Sequence, residues 1–222
     1  MADTLISSIP NVPGAPDALV DSKAMFKLSY GLFALTAKSA GKDYGCIINT
    51  AAQIAQTPLI ISIAVNKGNM THDVIAQAGA FNVSVLTQST PFAIFEWLGM
   101  HSGRNTDKFA EHSGGPRTAN EILYLPEYAN AVISAQVTQT LDCGTHTLFV
   151  ADVTQAAVLS NEPSATYQYY FDHIKPKPQL PNERKAGFIC RICGYIYEGD
   201  VLPADFICPV CKHGAEDFER VE

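Results

Sequence analysis

The sequence has no long apolar stretch and no excess of basic residues. Its longest apolar run, residues 59–65, is far shorter than the roughly 20 residues that cross a bilayer. The first residues carry neither the basic segment nor the long apolar segment of a secretory signal. Against 15 lysines and arginines there are 22 aspartates and glutamates, so the formal net charge is -7 and the basic surface that nucleic-acid binding requires is missing. We therefore expect a cytoplasmic protein that crosses no membrane and binds no nucleic acid.

Two widespread nucleotide-binding motifs are missing as well. No Gly-x-Gly-x-x-Gly follows a predicted strand, and no Gly-x-x-x-x-Gly-Lys-Ser/Thr occurs. The chain therefore has neither a dinucleotide-binding Rossmann unit nor a P-loop, and any nucleotide must be held in another way.

The best local candidate for a phosphate site is the turn that follows the predicted strand ending at Val65. Lys67, Asn69 and Thr71 lie there, at the start of a predicted helix whose first N–H groups can face an anion. Asparagine and threonine at a helix start are also ordinary caps. These residues alone fit either interpretation.

A second candidate is the segment 102–109. Arg104 and Lys108 are one helical turn apart in it, next to a glycine, and could grip a phosphate group. A solvated basic turn would look the same. The segment by itself does not distinguish the two.

The region between residues 26 and 160 has the pattern of an antiparallel β domain. β-branched and aromatic runs are broken there by Gly, Pro and Asn, which predicts strands separated by turns. The predicted strands cover residues 26–38, 46–50, 59–65, 81–87, 131–140 and 145–153. Helical spacing appears only between them, at residues 70–78 and 92–99. We expect a mainly β fold with short helices, in the form of a closed barrel with helices over its ends.

The composition changes twice after this region. Residues 173–186 hold three prolines and show no apolar periodicity, so we interpret them as an extended, semi-rigid linker. The linker separates a large domain, residues 1–172, from a small one, residues 187–222. The small domain carries 3 basic and 7 acidic residues, a charge that could steer a partner protein.

Four of the six cysteines lie in the small domain as two Cys-x-x-Cys pairs. They are Cys190, Cys193, Cys208 and Cys211, with 14 residues between the pairs. In a reducing compartment such pairs indicate a metal site rather than disulfides. Four thiolates form a tetrahedral cage that suits iron or zinc, and so short a domain needs the metal to fold. Spacing alone leaves an electron-transfer iron site and a structural zinc ribbon equally open. Cys46 and Cys143 are predicted to be ordinary buried thiols.

The strings FICRICGYIYEGD and ADFICPVCKHGAEDFE resemble rubredoxin over the whole small domain. The resemblance implies a single iron ion bound by the four cysteines. It also implies a small aromatic core made of Phe188, Tyr195, Tyr197, Phe206 and Phe218. The chain departs from free-standing rubredoxins in a shorter stretch between the pairs and in Lys212, where a glycine is common. Neither departure removes a ligand.

The large domain resembles the flavin reductase-like FMN-binding split barrels along nearly its whole length. The segments that carry the resemblance are LSYGLFALTAK, GCIINTAAQ, PLIISIAVNKGNMT, FNVSVL, SGRNTDKF, NAVISAQV and CGTHTLFVADV. It implies FMN as the cofactor and a homodimer with the flavin near the interface. It places FMN contacts at Thr36, Ile47, Ile48, Asn49, Thr50, Gln53, Lys67, Asn69, Thr71, Arg104 and Lys108.

Two further assignments follow from the same resemblance, and each has a plainer alternative. His146 is placed near the reactive face of the flavin, as a catalytic residue, although a strand histidine that is simply hydrogen-bonded fits equally well. Tyr167, Tyr169 and Tyr170 either cover the flavin or anchor the linker.

Together the two domains resemble the family of high molecular weight rubredoxins. The resemblance implies an oxidoreductase that passes electrons from NADH or NADPH through FMN to the iron, and then to an acceptor protein. In the family that acceptor is usually a flavodiiron protein that reduces dioxygen or nitric oxide. Two alternatives stay open: a pure electron carrier without nicotinamide activity, and a flavin reductase with a structural zinc site.

Overall fold

The computed structural model describes residues 22–111, 114–176, 187–191, 195–208 and 214–221. Among these, no helix is both long enough and apolar enough to span a membrane. Among the described residues, strands hold more of the chain than helices do, and the helices are short, which confirms the predicted fold class. The large domain holds strands β1 to β7, and the small domain holds strands β8 to β10.

Seven antiparallel strands form one sheet in the large domain. They are β1 (Phe33–Ser39), β2 (Lys42–Ile48), β3 (Ala52–Ala55), β4 (Ile60–Asn66), β5 (Ala80–Leu86), β6 (Ala129–Cys143) and β7 (His146–Val158), in the spatial order β2-β1-β5-β6-β7-β4-β3. Alternate residues of each strand point to one side, where Leu35, Ile63, Phe81 and Phe149 form a fully buried core. The sheet therefore curls around one apolar interior.

The sheet is not closed, so the prediction of a closed barrel was wrong in this respect. Its outer strands, β2 and β3, do not pair with each other in the described part of the chain. Only residues 49–51 connect them, and four peptide steps span at most about 14 Å. The two edges thus approach each other without forming a ladder, because β3 pairs only with β4. The result is a barrel with a split along one side.

Most predicted strands are confirmed with shifted ends. The first strand begins later than predicted, and one observed strand was not predicted. Residues 22–27 form a short 3-10 helix, and the first strand begins only at Phe33, after Gly31 forms an isolated bridge with Thr166. Strand β3 was not predicted, because its four residues, AQIA, are mostly exposed and contain no β-branched run.

The two predicted helices are confirmed. Helix α1 (Met70–Ala78) buries Val74 and Ile75 and ends at Gly79, whose φ of 71° is the left-handed conformation that favours glycine. Helix α2 (Phe92–Phe95) continues as a wider π-helical turn, Glu96–Met100. Ile94, Phe95 and Leu98 pack with Tyr170 in a second apolar cluster on the outer side of the sheet.

Side chains, rather than regular structure, hold residues 117–125 against the outer face of β1 and β5. Thr36 donates to the carbonyl of Leu123, and Asn82 donates to Thr118 at 2.7 Å. Arg117 binds both carboxylate oxygens of the buried Asp43, at 2.7 and 2.8 Å. This hydrogen bonding raises the pKa of the Arg117 guanidinium.

The small domain has a three-stranded sheet with an aromatic core. Strands β8 (Gly187–Cys190), β9 (Ile196–Glu198) and β10 (Phe218–Val221) lie in the order β10-β8-β9. The ring of Phe206 lies 4.7 Å from Tyr197, 5.3 Å from Phe218 and 6.4 Å from Tyr195, centroid to centroid. The half-buried Phe188 is opposite Tyr197 in the ladder. The predicted aromatic core is thus present.

The predicted linker begins inside a helix. Helix α3 (Tyr167–Tyr169) continues as a π-helical turn, Tyr170–Ile174, so residues 173 and 174 are helical. Residues 177–186, the greater part of the predicted linker, lie outside the described residues.

Candidate functional site

Arg104 lies beside the N-terminus of helix α1. A Cβ atom on Gly103 would be 3.3 Å from the Cβ of Met70, so the loop 102–105 packs directly on the first helical turn. Arg104 Nη2 donates to Asp73 Oδ2 at 2.7 Å, and its Nη1 lies 3.8 Å from the sulfur of Met70. Asn69 precedes the helix, and its side chain makes no capping bond. The guanidinium charge and the positive end of the helix dipole therefore lie together.

Behind this surface, the buried Cys46 lies near three polar side chains, those of Thr71, Lys108 and Asn69. Burial raises the pKa of its thiol, while hydrogen bonding with Thr71, the charge of Lys108 and hydrogen bonding with Asn69 act in the opposite direction. Thr71 and Lys108 are themselves buried. The structure thus brings together four residues of the two predicted phosphate segments, but only Asn69 and Arg104 have substantial exposed surface.

Lys108 clamps two backbone segments. Its Nζ donates to the carbonyl of Leu98 at 2.6 Å and to that of Gly45 at 3.0 Å. Burial lowers the pKa of this ammonium group, because water no longer stabilises its charge. These contacts join the end of the π-helical turn to strand β2, and contact between Lys108 and an FMN phosphate stays a prediction.

The segment 47–53 runs along the split of the barrel. Ile47 packs against Gly99, where a Cβ atom would lie 3.4 Å from Ile47 Cγ1, and Ile48 is buried. Thr50 Oγ1 donates to the carbonyl of Ala64 at 2.6 Å, and Gln53 is exposed. Asn49 is half-buried. An apolar cavity of about 230 Å³ adjoins Gln53, lined in part by Phe33, Ala51, Leu59 and Ile133.

His146 and Lys67 lie together at the hairpin between β6 and β7. His146 is half-buried, and its Nδ1 is 2.9 Å from the hydroxyl of Thr145. Lys67 Nζ binds Asp142 Oδ1 at 2.7 Å, and Lys67 N–H donates to the Thr145 carbonyl at 3.0 Å. The hydrogen bond from Lys67 lowers the pKa of the Asp142 carboxyl.

Of the two cysteines outside the small domain, Cys46 is buried as predicted, but Cys143 is exposed. The prediction of a buried thiol was wrong for Cys143, because the second half of β6 extends to a hairpin tip where residues 138–145 lie at the surface.

Two residues of the site carried no recognisable sequence signal. His72 and Asp73 stand in the first turn of the predicted helix, but the hydrogen bond between His72 Nε2 and Thr147 Oγ1, at 2.9 Å, spans 75 residues. Thr36, which was predicted as an FMN contact, is fully buried, and its hydroxyl donates to the carbonyl of Leu123.

Tyr170, which was predicted either to cover the flavin or to anchor the linker, has its ring centroid 4.7 Å from that of Phe95. The contact of Tyr170 supports anchoring of the linker.

The metal centre is described in part. Cys190 and Cys208 are fully buried, whereas Cys193 and Cys211 lie outside the described residues. For that reason no group of three metal-ligating side chains occurs in the described part. Cys190 N–H donates to the carbonyl of Tyr195 at 2.8 Å, so these two residues of the small domain lie close together. Two buried thiols, one at the end of β8 and one at the start of the second cysteine pair, fit a thiolate-bound metal ion.

The neighbouring Arg191 fastens the end of β8 to the segment before β10. Its N–H donates to the carbonyl of Asp217 at 2.8 Å, and its Nη2 donates to the carbonyl of Glu216 at 2.9 Å. The backbone and the side chain of Arg191 therefore both bind the segment before β10.

Comparison with known proteins identifies both domains. Residues 25–177 match the flavin reductase like domain, and residues 188–219 match the rubrerythrin, rubredoxin-like domain. The chain is 33% identical to a high molecular weight rubredoxin of Moorella thermoacetica, over 91% of this chain and 100% of that protein. It is 36% identical to a ferric-chelate reductase (NAD(P)H) of Archaeoglobus fulgidus, over 76% of this chain and 98% of that protein.

Among solved structures, the flavoredoxin of Methanosarcina acetivorans has the same fold, with a TM-score of 0.56 and 18% identity, over 68% of this chain and 82% of that one. The match over most of the large domain, the four-cysteine module and the full-length similarity agree with one another. The chain therefore belongs to the flavin reductase-like family and carries a rubredoxin-like domain behind its flavin reductase-like domain, as high molecular weight rubredoxins do.

Proposed function

We propose that this protein is an NAD(P)H-dependent electron-transfer protein that uses FMN and one iron ion and delivers electrons to a separate acceptor protein. The observation that carries this proposal is the presence of a flavin reductase-like domain and a four-cysteine rubredoxin-like module on one chain. A nicotinamide donates two electrons as a hydride, whereas an iron centre accepts one electron at a time, and flavin chemistry converts one into the other.

The residues of the large domain fit FMN. Arg104 and the N-terminus of α1 offer a positive, partly exposed site for the phosphate, with Asn69 beside it. Ile47, Ile48, Asn49, Thr50 and Gln53 line the split with polar and apolar groups for the ribityl chain and the ring system. Thr71 and Lys108, which act on the buried Cys46, support this surface from behind, and Lys67 borders it. His146, at the hairpin, would orient the nicotinamide against the ring.

In the small domain, Cys190, Cys193, Cys208 and Cys211 would hold the iron. The aromatic core and Arg191 stabilise the described part of this domain, and the burial of Cys190 and Cys208 would keep water from a metal bound there. The acidic surface of this domain suits a basic docking face on an acceptor, for which we propose a flavodiiron protein. We also propose a cytoplasmic homodimer, divided at residues 173–186 into domains 1–172 and 187–222.

Anaerobic addition of NADH, and then of NADPH, to the purified protein tests this function. We expect the absorption bands of flavin and of ferric thiolate to be present and to bleach, and metal analysis to find iron. If neither nicotinamide bleaches the flavin, the protein is an electron carrier reduced by another protein. If zinc is found in place of iron, the module is structural and the protein is a flavin reductase.

Replacing Arg104 tests the phosphate site. We expect Arg104→Ala to weaken FMN binding by about 10- to 100-fold, because a charged hydrogen bond contributes about 1.5–3 kcal/mol. Riboflavin, which lacks the phosphate, should bind equally well to both proteins. Fluorescence titration of the flavin-free protein measures both affinities.

Lys42→Ala is the matched control. Lys42 is about as exposed as Arg104, at 43% against 45%, and also pairs with an aspartate, Asp107, but it lies at the start of β2 and not beside α1. It should leave both affinities unchanged. Equal weakening of FMN and riboflavin by Arg104→Ala would place the phosphate elsewhere.

A further inference from the structure

A row of hydrogen bonds connects strand β7 to Arg104 through His72. The Nδ1 of His72 lies 2.9 Å from Asp73 Oδ1, and its Nε2 lies 2.9 Å from Thr147 Oγ1. The second oxygen of Asp73 accepts the hydrogen bond from Arg104 Nη2 at 2.7 Å. Because both ring nitrogens of His72 are bonded, the orientation of the ring is fixed from two sides.

The barrel core fixes the position of the histidine. Its ring centroid is 5.6 Å from that of Phe149, which is fully buried. Thr147 stands opposite Val65 in the ladder between β4 and β7, and Val65 is also fully buried. Through its bonds to Thr147 and Asp73, His72 therefore ties the surface loop that holds Arg104 to strand β7.

At the other end of the row, Asp73 and Arg104 are both about half exposed, at 44% and 45%. Hydrogen bonding with His72, followed by hydrogen bonding with Arg104, lowers the pKa of the Asp73 carboxyl. An exposed ion pair between two mobile side chains is weak on its own. Here one partner is held in place by a half-buried ring, so the pair has a defined geometry.

We infer that His72 is a positioning residue for FMN: it holds Asp73, and Asp73 holds the guanidinium of Arg104 beside the N-terminus of α1. This inference rests on the proposed placement of the FMN phosphate at Arg104. A guanidinium has five N–H donors, and the hydrogen bond to Asp73 engages only Nη2. Ordering the long side chain before the ligand arrives removes part of the entropy cost of binding.

A positioning role through Arg104 differs from a purely structural role in its dependence on the phosphate. His72→Ala should weaken FMN binding by about threefold to fivefold, the range of a surface ion pair that is lost. Riboflavin binding should not change, because riboflavin has no group for Arg104 to hold. In a protein that already carries Arg104→Ala, His72→Ala should have no further effect on FMN.

His72→Asn is the conservative variant. An asparagine amide can donate to Asp73 from nearly the position of Nδ1, so FMN binding should return close to that of the original protein. Thr147→Val removes only the partner of Nε2, with little change in shape, and should weaken FMN binding less than His72→Ala does. This variant keeps the test valid if His72→Ala does not fold.

Titration of the flavin-free full chain with FMN and with riboflavin, for these variants and the double variant, decides the matter. The inference is overturned if His72→Ala weakens both ligands equally, or if it weakens FMN just as much without Arg104. It is also overturned if Arg104→Ala weakens FMN binding but not riboflavin binding, while neither His72→Ala nor Thr147→Val does so. The proposed phosphate site would then stand without a role for the row of hydrogen bonds through His72. If Arg104→Ala itself does not discriminate, both ideas fail together.

Discussion

Cys208→Ser should remove the iron and leave the flavin chemistry intact. Four-ligand metal sites in small domains bind with about 10–16 kcal/mol, so the loss of one thiolate should weaken metal binding by more than about a hundredfold. Cys208 is fully buried, and the small domain has little else to stabilise it besides one aromatic core. Metal analysis should find almost no iron, and the ferric thiolate bands should be absent.

In the same variant, NADH or NADPH should still bleach the flavin. Cys143→Ser is the matched control, since Cys143 is exposed and lies in the large domain, and it should keep the iron. Cys193→Ser, at a ligand position outside the described residues, should behave like Cys208→Ser. Loss of flavin together with iron would mean that the two domains do not fold separately, and full retention of iron would exclude Cys208 as a ligand.

Arg117→Met should lower the free energy of unfolding of the large domain by about 3–5 kcal/mol. The change leaves Asp43, with a side chain only 4% exposed, as a buried charge without its two-point partner. It also releases the hydrogen bond from Arg117 to the carbonyl of Glu121, which holds the covering segment 117–125. The position of the single tryptophan, Trp97, makes fluorescence during urea unfolding a probe of this domain.

Lys42→Met is the control for this second prediction. Lys42 and Asp107 are 3.1 Å apart but about 40% exposed, so the loss of stability should be much smaller than that from Arg117→Met. Replacing both partners, with Arg117→Met and Asp43→Leu together, should restore most of the stability. Similar losses from Arg117→Met and Lys42→Met would show that burial does not set the strength of these pairs.

The parts of this molecule that depend on local chemistry could be predicted from the sequence. The spacing of the two cysteine pairs, the apolar face of α1 and the alternating strands all depend on residues that are close in the sequence. The pattern of strands alone did not predict the split of the barrel, which only the resemblance to split barrels implied, because the partner of β3 is set by distant β4 residues and not by its own four. The closed barrel was expected for that reason.

The candidate site shows the same division. Lys67, Asn69 and Arg104 were proposed from turns and helix starts, which are local features, and their contact with FMN stays a prediction. Lys108 stands in the same short segment as Arg104, yet its Nζ is buried against the carbonyls of Gly45 and Leu98. The link between His72 and Thr147 depends on two elements 75 residues apart, and only the folded sheet brings them together.

The ladder of the small domain pairs Gly187 with Val221, so the chain enters and leaves this domain side by side. Neighbouring residues of paired strands are about 5 Å apart. Because its two ends are adjacent, the domain could be inserted into a surface hairpin of another protein without distorting either junction. A redox domain of this kind can be transferred to another protein as a unit. The insertion point would then set its distance from a new electron donor.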